Sequence, residues 1–146
     1  SVAIEIGRGG RGYGSGGVLA VELLDEAQFA VGLQAVGARE IIAGDQQLIL
    51  RAHQQGLKIF GCTMTPYEGA AYFAPEGEVK REAVNKFVRS SGAYDGVIDF
   101  DAVVRDPGHP TRLLPMYDSG DHLHPNDAGY KAMANAIDLS FFRRKR

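Results

Sequence analysis

Apolar residues recur at helical spacing over residues 39–55, where Ile41, Ile42, Leu48, Ile49 and Ala52 form one stripe and Gly56 supplies a stop. Directly after that glycine, residues 57–65 (LKIFGCTMT) make a short apolar run closed by Pro66, the pattern of a strand buried on both faces. A second helix is expected to open at Pro75 and stop near Gly92, with Val79, Ala83, Val84, Phe87 and Val88 on one face. Glu76 and Glu78 fall in its first turn, where the helix dipole favours negative charge. Residues 96–100 (GVIDF) read as a second short strand, followed by a polar loop rich in Pro and Asp. A last helix is expected over residues 126–141, with Pro125 at its start and Met133, Ala136, Ile137 and Phe141 facing inward. Upstream, residues 18–36 are densely apolar without a clean period. Leu23, Leu24, Ala27 and Val31 suit a helix, which we take as the expectation, although residues 18–21 also suit a buried strand. Helices alternating with strands, and no internal repeat, imply a parallel sheet layered by helices, an α/β fold.

The 146 residues, 45% hydrophobic and 23% charged, are expected to form one domain over residues 1–146 with a core that needs no metal or disulfide. Sixteen basic and eighteen acidic residues leave a formal net charge of −2, which argues against a nucleic-acid partner or an anionic membrane surface; only the tip, residues 143–146 (RRKR), is strongly basic. No apolar run reaches the roughly 18 to 20 residues of a membrane span, and no signal-peptide pattern stands at the N-terminus. The compartment stays open, since a single cysteine, Cys62, cannot form an intrachain disulfide; it is expected to pack as a small hydrophobe. Residues 1–17 hold seven glycines and two arginines and are expected to be a flexible segment. A phosphate-cradling loop is the alternative, but neither G-x-G-x-x-G nor G-x-x-x-x-G-K-[ST] is present, and two arginines are few for an RNA-binding segment. Tyr67, Tyr72 and Phe73, just past the first strand, either line an apolar cleft or cap the core.

The chemistry concentrates in residues 117–130 (YDSGDHLHPNDAGY), after the second strand and before the final helix, where an open α/β sheet presents its ligand crevice. Asp121 and His124 are three apart, so a loop entering a helix can set the carboxylate on one imidazole nitrogen and leave the other facing a nucleophile. That is two thirds of a Ser-His-Asp triad. D-x-x-H-P followed by N-D-x-G-Y resembles the last block of the SGNH, or GDSL-type, ester hydrolases, and the likeness runs back over residues 38–142. The resemblance implies a three-layer α/β/α sandwich of flavodoxin type. It also implies hydrolysis of small acyl esters without metal or cofactor, with Asp121 as orienter and His124 as general base.

The family carries its nucleophile in an N-terminal Gly-Asp-Ser block after the first strand, and further oxyanion donors in a later glycine and a G-x-N-D block. This sequence has no Gly-Asp-Ser, and its residues 1–37 show no likeness to the family. The chain is therefore expected to join the C-terminal part of such an enzyme to an altered N-terminus, with a sheet open to being incomplete at its N-terminal strands. Such a sheet exposes edges, and a homo-oligomer is expected to repair them. Among Ser1, Ser15, Ser90, Ser91, Ser119 and Ser140, the best nucleophile candidate is Ser15, whose flanking glycines allow a tight exposed turn and offer free N–H groups to an oxyanion. Tyr13 nevertheless occupies the first glycine position of G-x-S-x-G, and a serine donated by another chain is the alternative. Ser119 reads as a turn hydroxyl, and the other serines as structural. His122 and His124 with Asp118, Asp121 and His109 offer zinc-type ligands, yet no further ligand pair stands at helical or hairpin spacing, so no metal is expected. His53 sits where a helix C-terminus favours a cation. The other readings are a non-catalytic, truncated α/β domain that self-associates and, behind it, a metal-dependent hydrolase using the His122 and His124 cluster.

Overall fold

The structure, a computed structural model, describes the backbone of residues 2–6 and all of residues 37–143. In chain order the elements are β1 (Val2–Ile6), α1 (Ala38–Gln54), β2 (Lys58–Cys62), α2 (Pro75–Ser90) and β3 (Gly96–Ile98). A short helix α3 (Phe100–Val104), the hairpin β4 (Arg105–Asp106) and β5 (His109–Leu113), helix α4 (Asp127–Asn135) and a 3-10 turn (Leu139–Phe142) follow. The mix of helices and strands with a small parallel pairing is α/β. The segment 18–36, most of the glycine-rich stretch, Ser1, Ser15 and residues 144–146 lie outside the described residues.

The apolar run after Gly56 forms the central strand. In the sheet order β1-β2-β3, β2 pairs in parallel with β3, and β1 pairs with β2 antiparallel, Ile4 opposite Phe60. Two corrections follow. Residues 2–6, assigned above to a flexible segment, form a strand, and the sheet is mixed where an all-parallel one was expected. Side chains of β2 alternate between two clusters. Ile59, continued by Met64, packs with Ile49 and Ala52 of α1, Val84 and Val88 of α2, and Tyr94. Phe60 and Cys62 point the other way, with Ile98, and are covered by Phe100, Ile137 and Phe141, the ring of Phe141 stacking on Phe60 at 4.9 Å. Burial on both faces explains the unbroken apolar reading of this strand.

Both long helices fall where their periodicity places them, but each is rotated from its expected stripe. On α1, Leu48 is exposed and Asp45 is buried beside Ile49 and Ala52. On α2, Val79 is 70% exposed, and the inner face is Gly77, Glu78, Arg81, Val84, Asn85 and Val88. Polar residues win that face because the ends of β2 and β3 supply partners for them. Asn85 bonds the backbone of Met64 in both senses, accepting from its N–H at 2.7 Å and donating to its C=O at 2.9 Å. Arg81, 1% exposed, donates to Glu78, Glu82, the Met64 carbonyl and Asp101. The Thr63 hydroxyl donates to Asp99 and accepts from the Asp101 N–H, and Arg89 grips both of those aspartates.

Past β3 the chain departs further from expectation. Asp99 caps α3 by accepting from the Ala102 N–H at 3.1 Å, so the stretch expected as a loop carries a helix and a hairpin. The last helix stops at Asn135, because Asp138 accepts from the N–H of Ser140 and starts a separate 3-10 turn. Ile137 and Phe141 still reach the sheet, but Ala136 is exposed. Tyr67 is buried, its ring 5.2 Å from Phe73 and 6.1 Å from Tyr72, so this aromatic group caps the core at the start of α2.

Candidate active site

Residues 114–126 connect the hairpin to α4 and are folded by side chains bonding the backbone. Asn126 does most of this. Its oxygen caps α4 by accepting from the Gly129 N–H at 3.0 Å, and its amide nitrogen donates to the carbonyls of Met116 and Asp118, both at 3.1 Å. Gly129 is buried where the helix crosses the loop: a β-carbon there would stand 2.9 Å from the Tyr117 carbonyl oxygen and 2.8 Å from Pro125. A bridge between Asp118 and Pro125 and a bond from the Ser119 N–H to the His124 carbonyl close the loop.

Within this frame Asp121 and His124 meet, as their spacing requires. One Asp121 oxygen accepts from the N–H groups of Leu123 and His124, at 2.9 and 2.8 Å, and from the Ser119 hydroxyl at 2.9 Å; the other accepts from Nδ1 of His124. The bonds from the His124 ring and backbone, joined by those from Leu123 and Ser119, hold the Asp121 carboxyl far below the usual carboxylate range. An ionised carboxylate only accepts, so the neutral ring carries its hydrogen on Nδ1 and its lone pair on Nε2. An imidazole held this way can take a proton from a neighbouring hydroxyl and return it.

The same loop builds a second acid–imidazole pair. Asp118 accepts from the N–H groups of Gly120 and His122, and its other oxygen meets Nδ1 of His122 at 2.6 Å. Partial burial pushes the Asp118 carboxyl up, but these bonds from Gly120 and His122 outweigh it, and the net shift is downward. From the sequence these two residues are weighed only as possible metal ligands, and the pair is missed; its signal is an acid four residues before a histidine, across a glycine turn. His122 borders a cavity of about 370 Å³ that the hairpin side chains Asp106 and His109 also line, whereas neither Asp121 nor His124 does. Among the described residues no group of three or more His, Cys, Asp or Glu side chains is placed to hold a metal ion.

The four serines that the structure describes are bonded within their own segments. Ser90 donates to the Lys86 carbonyl, Ser91 accepts from the Ala93 N–H, Ser119 donates to Asp121, and Ser140 donates to Asp138. Cys62 is buried and its thiol is pushed up to about 11 by that burial, the behaviour of a packing residue. His53, in the last turn of α1, bonds Asp95 at 3.0 Å, and Asp95 also accepts from the Ile59 N–H, fastening the helix to the sheet.

No helix among the described residues is long and apolar enough to cross a membrane. No curated protein matches the sequence significantly. A family model described as the GDSL-like Lipase/Acylhydrolase family matches residues 24–132. The match begins well before residue 38, so residues 24–37, read above as unlike the family, fall inside it. The match spans most of the sequence and contains the Asp121–His124 loop, and the chain belongs to the GDSL-like lipase/acylhydrolase family.

Proposed function

We propose that the protein is a carboxylic ester hydrolase of SGNH type, a single domain with the three-layer α/β/α arrangement of flavodoxin type, acting on small acyl esters. The observation that carries this reading is the Asp121 carboxylate on Nδ1 of His124 in the loop that enters α4. Helices α1 and α2 on one face of the sheet and the C-terminal segment on the other support the layering. In the reaction, a serine hydroxyl gives its proton to Nε2 of His124 as its oxygen attacks the ester carbonyl carbon. The imidazolium, stabilised by Asp121, returns that proton to the departing alcohol, and water repeats the sequence on the acyl-enzyme. Ser15 is the proposed nucleophile, because its glycine neighbours can supply oxyanion N–H groups and the four described serines are each bonded to a group within their own segment.

Hydrolysis of p-nitrophenyl acetate tests the assignment. His124→Ala is expected to lower kcat about 10³-fold or more, and Asp121→Ala somewhat less. Mass spectrometry after organophosphate treatment is expected to place the label on Ser15. Equal rates in wild type and both variants would overturn the assignment, and rates no higher than without protein would leave a non-catalytic α/β protein. Self-association is part of the proposal, since β3 ends the sheet with an unpaired edge among the described residues. Light scattering that gives a compact monomer would refute it.

A further inference from the structure

We infer that Ser119 is a positioning residue for the Asp121–His124 pair: its hydroxyl fixes the Asp121 carboxylate and, through it, the hydrogen on Nδ1 of His124. The inference rests on the hydrolase reading for its effect on turnover; the effect on the imidazole needs only the loop. Ser119 is tied to both members of the pair. Its hydroxyl donates to one Asp121 oxygen at 2.9 Å, and its N–H donates to the His124 carbonyl at 3.0 Å. Gly120 makes this possible, since a residue in the left-handed region at φ 103° turns the chain back between the serine and the acid two positions on. Asp118 holds that turn by accepting from the Gly120 N–H at 2.8 Å.

The direction of the hydroxyl decides its role. It gives its hydrogen to the carboxylate, which in turn accepts from Nδ1, so Ser119 belongs to the orienting side of the pair rather than to Nε2, where a nucleophile gives up its proton. What it supplies is resistance to rotation. The Asp121 side chain is 49% exposed, so water competes for its oxygens, and turning the carboxylate about its Cβ–Cγ bond would take the acceptor away from Nδ1. The N–H groups of Leu123 and His124 reach the inner oxygen from the chain that follows, at 2.9 and 2.8 Å, and Ser119 reaches it from the chain that precedes. Held from both directions, that oxygen leaves the other one aimed at the ring. Without the hydroxyl the acceptor for Nδ1 loosens, and the neutral ring shifts toward the tautomer with its hydrogen on Nε2, which cannot take a proton from a nucleophile.

The test compares Ser119→Ala, Ser119→Cys and Ser119→Thr with wild type at about pH 8, where an ordinary imidazole is neutral. Nitrogen NMR shifts of the His124 ring report its tautomer whether or not the protein turns over an ester. Ser119→Ala is expected to move them toward the Nε2–H form. It should also lower kcat for p-nitrophenyl acetate about tenfold with KM changed less than about twofold, the effect of losing one hydrogen bond to a charged group. Ser119→Cys, a weaker donor, is expected to fall between. Ser119→Thr keeps the hydroxyl at an exposed position and should retain the wild-type tautomer and a kcat within about threefold. Thermal unfolding checks that each variant is folded. The inference is overturned if Ser119→Ala leaves the ring nitrogens, or the kcat of an active enzyme, unchanged. It is equally overturned if Ser119→Thr loses as much as Ser119→Ala, or if an organophosphate labels Ser119. A wild type that hydrolyses no p-nitrophenyl acetate, with the tautomer shift present in Ser119→Ala, would sink the hydrolase reading and leave the positioning role standing.

Discussion

Removing the guanidinium of Arg81 is the sharpest test of how the strand ends and α2 are held together. The side chain is 1% exposed and makes five hydrogen bonds: two to Glu78 at 2.6 and 2.8 Å, one to Asp101 at 2.6 Å, one to Glu82 at 2.7 Å and one to the Met64 carbonyl at 2.9 Å. In Arg81→Met the acceptors fare differently. Met64 keeps the Asn85 amide, Glu82 is half exposed, and Glu78 in the first turn of α2 has some access to water and a favourable helix dipole. Asp101 has neither recourse: it is fully buried, and one of its oxygens loses the Arg81 partner while the other stays with Arg89 and Arg105. Breaking a buried pair from one side costs about 3–5 kcal/mol, chiefly the desolvation of the carboxylate left behind. That is a large fraction of the roughly 5–15 kcal/mol that holds a typical protein folded, and it should lower Tm by roughly 10–15 °C at this chain length. Urea and thermal unfolding at pH 7 measure it. Adding Asp101→Asn should recover part of the loss, because a neutral amide is cheaper to bury and still offers Arg89 an oxygen. A loss below about 1 kcal/mol in Arg81→Met, or a double variant less stable than the single, would refute the reasoning.

Three further outcomes follow from the geometry. Burial pushes Asp99 up, but the Arg89 fork, the Ala102 N–H and the Thr63 hydroxyl outweigh it and hold the carboxyl at about 2 against an ordinary 3.8. Its stabilisation is therefore present above about pH 4 and lost as pH falls toward 2; urea midpoints should drop through that window in wild type and change less in Asp99→Asn. The Cys62 thiol, pushed up to about 11 from 9.0, carries about a hundredfold less thiolate than an exposed cysteine, so a disulfide reagent at pH 8 should label it only after urea unfolding. Gly129→Ala gains about 1 kcal/mol of helix propensity, but its methyl meets the Tyr117 carbonyl oxygen at 2.9 Å and Pro125 at 2.8 Å; an overpacking cost of about 1–3 kcal/mol should win. Lower Tm together with reduced esterase activity is expected, and an unchanged Tm would count against the packing described for this loop.

What the sequence alone determined was whatever lies within a few residues. Helix α2 opens at Pro75 as the proline and its acidic first turn require, α1 runs to within a residue of its periodic span, and the run closed by Pro66 is a strand. The Asp121–His124 pair belongs with them, because a carboxylate three residues ahead of an imidazole can reach it through one turn of chain. Tertiary structure decided the rest, where partners are distant in the chain. The apolar stripe located Val84 and Val88 on the inner face of α2 but not the polar residues beside them: Arg81 finds Met64 and Asp101 at separations of 17 and 20 residues, and a buried cation reads as a surface residue until such acceptors are in place. The antiparallel pairing of β1 with β2 is decided in the same way, because hydrogen bonds between strands far apart in sequence leave no local periodicity to read. So is the cavity at His122, which exists only because a hairpin folds back beside the loop and the backbone at Gly69 closes on the ring.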